Sequence, residues 1–136
     1  MKIVLDTNVL VSGLLSPYGA PADVLRMVIG GAVTLCVDPR ILVEYEQVLA
    51  RPLFGFAQDA VDALIGFVAA EGEHVVAAPW REPLPEPDDA PFLEVAVAGG
   101  AACLVSGNLA HFPVAARGGV EVLSPAAFVA SFRGGA

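Results

Sequence analysis

The run Ile3-Val4-Leu5-Asp6 constrains the fold of this chain more than any other segment. Three consecutive apolar residues, two of them β-branched, are typical of a central strand that is buried on both faces. Asp6 would then stand at the carboxyl end of that strand, where open α/β sheets bind their ligands. A buried carboxylate needs a hydrogen-bond donor, a cation or a metal ion, unless it simply caps the helix that follows.

Four further apolar segments alternate with segments of helical periodicity. The predicted strands are residues 2–5, 32–37, 74–78, 101–105 and 120–123, and the predicted helices are residues 9–15, 22–29, 39–51, 58–71, 90–99 and 125–132. Asp38-Pro39 and Ser124-Pro125 are strong start signals for two of these helices. The alternation predicts a three-layer α/β/α sandwich around a parallel sheet, as a single domain over residues 1–136.

The charge balance limits the kinds of partner that the chain can bind. Fifteen acidic residues against seven basic ones give a net charge of −8, which disfavours non-specific binding to nucleic acid. A nucleic-acid substrate would therefore be held by metal ions, by a few arginines or by basic groups of a partner. No long apolar run or signal-peptide pattern is present, so we expect no membrane segment and a cytoplasmic location.

Polar residues follow the first and fourth predicted strands. Ser106-Gly107-Asn108 comes directly after the fourth strand, so it meets Asp6 if the two strands are neighbours. Glu44 falls on the flank of the apolar stripe of its helix, and Asp89 stands where a helix N-cap is expected. Each acid has an ordinary alternative role, as a helix cap for Asp6 and Asp89 and as a solvated helical acid for Glu44.

Asp6, Glu44 and Asp89 together would supply the ligands for metal-assisted hydrolysis. Mg²⁺ and Mn²⁺ take oxygen ligands, and two such ions can activate water and stabilise the leaving oxygen of a phosphodiester. The sequence offers no Ser-His-Asp or Cys-His arrangement for nucleophilic catalysis. His74 and His111 are scattered, and neither is expected to be catalytic.

The ordered set of these motifs resembles the PIN domain family of metal-dependent ribonucleases, especially the toxins of bacterial toxin–antitoxin pairs. The matching segments are residues 4–10 (VLDTNVL), 43–49 (VEYEQVL), 87–96 (PDDAPFLEVA) and 104–108 (LVSGN). The resemblance implies a five-stranded parallel sheet in the order 3-2-1-4-5. It also implies cleavage of single-stranded RNA, a homodimer and a cognate antitoxin.

The resemblance further implies which residues form the site. The metal ligands, for Mg²⁺ or Mn²⁺, fall on Asp6, Glu44 and Asp89, with Asn8 and Ser106 orienting them. Asp89 is preferred to its neighbour Asp88 because Phe92 and Ala96 follow it at the motif's spacing. The fourth catalytic position, commonly an aspartate, is Asn108 here, and this removes one negative charge.

Two other functions are weighed against the ribonuclease. A PIN-like domain that only binds its partner is favoured by Asn108 and by the acidic charge balance. A phosphotransfer enzyme of the haloacid dehalogenase or receiver type would need a second aspartate two residues after Asp6 and a later lysine. Position 8 is asparagine, however, and the single lysine is Lys2.

Cys36 and Cys103 lie in apolar, strand-like segments. In the strand order 3-2-1-4-5 the first strand separates them, which places them about 9.6 Å apart. A disulfide needs Cα atoms within about 7 Å, so we predict two free, buried thiols.

Overall fold

The computed structural model describes residues 1–134. Its sheet contains β1 (Lys2–Leu5), β2 (Thr34–Val37), β3 (Glu73–His74), β4 (Cys103–Val105) and β5 (Val122–Leu123). All four strand pairs are parallel and the order is β3-β2-β1-β4-β5. The central strand β1 is buried on both faces, as its apolar run predicts. The predicted fold class and strand order are confirmed.

Six helices connect the strands and cover the sheet. They are α1 (Thr7–Leu15), α2 (Ala20–Ile29), α3 (Pro39–Leu49), α4 (Gln58–Glu71), α5 (Ala90–Ala98) and α6 (Pro125–Gly134). Helix α2 packs against α1 and α6, whereas α3 packs against α4 and α5. Gly13 permits the close approach of α1 and α2, because a Cβ there would stand 2.6 Å from the Leu25 side chain. Among residues 1–134, no helix is both long and apolar enough to cross a bilayer.

The predicted cap signals are used as expected. The Asp38 carboxylate accepts a hydrogen bond from the Ile41 N–H at 3.0 Å, and Pro39 occupies the first turn of α3. The Ser124 hydroxyl likewise accepts from the Ala127 N–H at 3.0 Å at the start of α6. These local signals fix where two of the helices leave the sheet.

The predicted bounds of the third strand were wrong. The pairing of β3 with β2 matches Cys36 to Glu73 and Val37 to His74, and one further bond joins the Val75 N–H to the Val37 carbonyl. Strand β2 ends at Val37 because the next residue already caps α3. The chain after Val75 therefore has no neighbouring backbone to pair with, and Val76 is 97% exposed.

Both cysteines are free and buried, as predicted. Ile3 of β1 pairs with Leu35 on one side and with Cys103 on the other, so β1 separates the strands that carry the two thiols. Burial raises the pKa of each thiol to about 11, which leaves both in the unreactive protonated form at neutral pH.

Candidate functional site

Asp6 stands at the N-cap position of α1 without capping it. Its side chain makes no capping hydrogen bond, although the residue is 6% exposed and directly follows β1. Its Oδ2 accepts a hydrogen bond from the Ser106 hydroxyl at 2.7 Å and a longer one from the Asn8 amide at 3.4 Å. The ordinary cap interpretation is therefore wrong for Asp6, and its carboxylate is held by side chains.

The loop after β4 is docked against the turn after β1. The Asp6 N–H donates to the Val105 carbonyl at 2.9 Å, which extends the pairing of the two strands into the site. Ser106 is fully buried, and its hydroxyl oxygen also accepts from the Asn108 N–H at 3.0 Å. The Gly107 N–H donates to the Asn8 side-chain oxygen at 3.0 Å. The structure thus places Ser106, Asn8 and Asn108 next to Asp6, as predicted.

Glu44 reaches the same edge of the sheet from α3. The Tyr45 side chain is fully buried, and its hydroxyl donates to the Leu5 carbonyl, which fixes α3 against the end of β1. Glu44 is therefore held on the half-buried flank that its helical position predicts. Its Oε2 accepts a hydrogen bond from the hydroxyl of Thr7, the first residue of α1.

Asp89 completes the acidic group from the start of α5. It occupies the N-cap position of that helix but makes no capping bond, so it too is free for another role. Its neighbour Asp88 is exposed, whereas Asp89 is partly buried. Its buried Oδ2 lies 3.0 Å from His111 Nδ1, within ion-pair distance, but it has no well-formed hydrogen bond within residues 1–134.

Two residues of the site were not predicted from the sequence. Thr7 holds Glu44, and His111 lies between Asp89 and Asn108, with its Nε2 2.9 Å from the Asn108 side-chain nitrogen. The position of His111 in the loop that follows β4, at the same edge of the sheet as Asp6, could have indicated that it belongs to the site. For Thr7, its place between Asp6 and Asn8 could have done so.

The three acids share one electrostatic environment. Burial is the largest influence and raises the pKa of each of the three carboxyl groups above its ordinary value. Mutual repulsion adds to it, since Asp89 raises the pKa of Asp6, Asp6 that of Glu44, and Glu44 that of Asp89. Hydrogen bonds from Ser106 and Thr7 oppose the pKa shifts at Asp6 and Glu44, and the neighbouring His111 opposes that at Asp89, but none of the three shifts is cancelled. Negative charge in this group is therefore poorly compensated by the chain itself.

The donor set fits a hydrated divalent cation. Within residues 1–134, no three His, Cys, Asp or Glu side chains stand close enough as placed to enclose a metal ion. Mg²⁺ retains several waters and needs only one or two carboxylates, so a closed protein cage is not required. The buried Asp89 Oδ2 without a donor and the three carboxyl groups of raised pKa are the oxygen ligands that such an ion prefers.

Comparison with known proteins assigns the fold to a family. Residues 2–110 match the family model of the PIN domain. This chain belongs to the PIN domain family. PIN domains are generally nucleases. The matched range includes the four residues of the site at the carboxyl edge of the sheet, which are Asp6, Glu44, Asp89 and Asn108. No curated protein and no solved structure gives a significant match to the chain.

Proposed function

We propose that this PIN domain is a metal-dependent endoribonuclease that hydrolyses phosphodiester bonds of single-stranded RNA. The observation that supports this function best is the group formed by Asp6, Glu44 and Asp89. All three carboxyl groups have raised pKa values, and none forms an ion pair with a lysine or arginine in residues 1–134. Such an arrangement is unfavourable unless a cation joins it.

Asp6, Glu44 and Asp89 would hold Mg²⁺ or Mn²⁺. The chemistry that such an ion supplies is activation of water and stabilisation of charge on a phosphate. Ser106 fixes Asp6 through Oδ2 and Thr7 fixes Glu44 through Oε2. The second oxygen of each carboxylate is left for a cation, and these hydrogen bonds orient it before the substrate binds.

Arg51 is the best candidate to bind RNA phosphate beside the acids. It lies two residues after the end of α3, the helix that carries Glu44, and is close enough to Glu44 for its charge to be felt there. Arg51 is exposed, forms no ion pair within residues 1–134, and its charge lowers the pKa of Glu44. A single arginine next to the site suits a substrate that an acidic surface otherwise repels.

We further propose that the protein is the toxin of a toxin–antitoxin pair, that it forms a homodimer and that it acts in the cytoplasm. Several large apolar side chains are exposed and would suit protein contacts, among them Leu15, Tyr18 and Leu53. An antitoxin arginine would pair with the acidic site in bidentate fashion. Light scattering tests the dimer, and a monomer at micromolar concentration would contradict it.

A catalytically inactive binding domain is the alternative, supported by Asn108 and by acids that are not gathered into a closed metal cage. A phosphotransferase finds no support, since Lys2 stands at the opposite end of β1 from Asp6 and pairs with Glu73 at 3.0 Å.

The deciding assay incubates purified protein and single-stranded RNA with Mn²⁺, with Mg²⁺ or with EDTA. Metal-dependent cleavage by the parent and by Glu46→Gln, but not by Glu44→Gln, supports the nuclease. Metal binding without cleavage would support the inactive domain.

A further inference from the structure

His111 is placed by its backbone rather than by its side chain. It ends a short 3₁₀ turn, Leu109–His111, in which its N–H donates to the Asn108 carbonyl at 3.1 Å. The next residue, Phe112, is fully buried, and its carbonyl accepts from the Arg117 guanidinium at 2.6 Å. The turn is thus anchored on the core side, and the imidazole is directed to the site with its side chain 35% exposed.

The imidazole contacts two residues of the site through its two nitrogens. Nε2 lies 2.9 Å from the Asn108 side-chain nitrogen, and Nδ1 lies 3.0 Å from Asp89 Oδ2. The Asn108 nitrogen is a donor, so Nε2 is the acceptor in this contact. The proton of a neutral ring is then on Nδ1, on the side of the Asp89 carboxylate.

We propose that His111 is a positioning residue of the PIN site, which holds the Asp89 carboxylate and sets the orientation of the Asn108 amide. This inference rests on the proposed metal-dependent function. With its nitrogen directed to the ring, Asn108 keeps its side-chain oxygen free for a cation or for a water. Asp89 Oδ2 lies 3.0 Å from His111 Nδ1 without a well-formed hydrogen bond, so the ring keeps the carboxylate at the site and leaves its oxygens available to a cation.

Three substitutions separate the two contacts. His111→Asn places an amide near the position of Nδ1 and keeps a donor for Asp89, whereas His111→Gln places an amide near Nε2 and keeps an acceptor for Asn108. His111→Ala removes both contacts. The matched control is His74→Ala, because His74 is the other histidine, is exposed and contacts only the Ala69 carbonyl through its ring within the described residues.

Calorimetric titration with Mn²⁺ is the first measurement. We expect His111→Ala to bind Mn²⁺ about tenfold more weakly, in the range seen when a residue that orients a metal ligand is removed. His111→Asn should recover most of that loss, and His74→Ala should match the parent. On RNA, kcat should fall in His111→Ala with little change in KM. Parental Mn²⁺ affinity in His111→Ala, or no recovery in either amide variant, would overturn the proposal.

A double-mutant cycle without metal separates this proposal from the proposed function. The free energy of unfolding is measured in EDTA for the parent, His111→Ala, Asp89→Asn and the double variant. A positioning role predicts that the two changes in the free energy of unfolding are not additive, because both substitutions remove the same contact. Additive changes overturn it even if the parent binds Mn²⁺. A parent that binds no Mn²⁺ but shows coupling would refute the metal-dependent function and leave the His111 contact in place.

Discussion

Asp6 and Asp38 occupy equivalent places on neighbouring strands and have opposite surroundings. Each follows a buried strand, each begins a helix, and they are 6% and 5% exposed. Asp38 uses one oxygen to cap α3 and the other to pair with Arg40 at 2.6 Å. Asp6 makes no capping bond and no ion pair with a basic residue among residues 1–134. Two acids of equal burial therefore differ in whether the chain supplies a cap bond and a cation for their charge.

Charge compensation explains the difference between the two regions. Arg40 also pairs with Glu94 at 2.6 Å, and the other oxygen of Glu94 accepts from the Trp80 N–H at 2.7 Å. Every acid around Asp38 thus has a partner within the fold. Asp6 and Glu44 have hydroxyl and amide neighbours, which orient a carboxylate without neutralising it, and Asp89 has only the His111 imidazole beside it, with no lysine or arginine paired to any of the three in residues 1–134. In the first region the acids are paired with a cation of the fold, whereas in the second the carboxyl groups repel one another and their pKa values are raised.

The largest expected effect comes from Asp6→Asn, which keeps the shape of Asp6 and removes its charge. Loss of a metal ligand should reduce RNA cleavage by more than about 100-fold, since metal assistance contributes several kcal/mol to phosphodiester hydrolysis. Cleavage rates at saturating Mn²⁺ test this, with Asp59→Asn on the exposed surface of α4 as the control. A variant that cleaves RNA as fast as the parent would show that Asp6 belongs to the same structural class as Asp38.

The second largest effect is expected from Arg40→Met, which removes the cation from the region around Asp38. Asp38 and Glu94 are then buried without a cation, and the free energy of unfolding should fall by about 2 kcal/mol. This is less than for a fully buried pair because the Arg40 side chain is 50% exposed. Denaturant unfolding measures the loss, with Arg81→Met as the control. Mn²⁺ affinity should not change, and a parallel loss of metal binding would mean that the two regions are not independent.

Asn108→Asp adds a negative charge beside Asp6, in the region where the acids have no paired lysine or arginine, and so increases the difference from the region around Asp38. A fourth carboxylate should tighten Mn²⁺ binding about tenfold, or about 1.4 kcal/mol. The same change should destabilise the metal-free protein, because another negative charge joins three carboxyl groups whose pKa values are already raised. Titration calorimetry and melting in EDTA measure the two effects. Equal Mn²⁺ affinity in both proteins would place Asn108 outside the site.

The sequence predicted which residues lie at the carboxyl edge of the sheet better than it predicted the side chains that contact each acid. Strand periodicity placed Asp6 and the segment Ser106 to Asn108 at the carboxyl ends of two strands, and the strand order implied by the family resemblance made those strands neighbours. Backbone pairing then fixes the geometry that brings these residues together. The contacts of Thr7 with Glu44 and of Asp89 with His111 depend on how helices pack, which no local pattern determines. The third strand was misplaced for a related reason, since its length is set by where β2 ends.

Local sequence separated Asp6 from Asp38 only in part, because both follow an apolar strand and precede a helix, although Pro39 marks Asp38 as a helix cap. A second difference is that the residue two positions later is Asn8 in the first case and Arg40 in the second. An arginine at that spacing provides a cation for the cap, and it also reaches Glu94, which is 54 residues away. That second contact required the packing of α3 against α5. The structural role of Asp38 was thus partly readable from its sequence, and the charge balance of its surroundings was not.

The smallest effect concerns pH and tests whether the charge near Asp6 is uncompensated. The pKa of Asp6 is raised by burial from its ordinary value of 3.8, so the native state binds this proton more tightly than the unfolded state does. The stabilisation that the protonated group contributes is present below pH 3.8 and is lost as the pH rises through the native pKa. In EDTA, Asp6→Asn should therefore be more stable than the parent at neutral pH, by about 1 kcal/mol. This advantage should shrink as the pH falls towards 4. Unfolding free energies of both proteins across that range, with Asp59→Asn as the control, measure the difference. A difference that does not vary with pH would mean that the Asp6 charge is already compensated, as that of Asp38 is by Arg40.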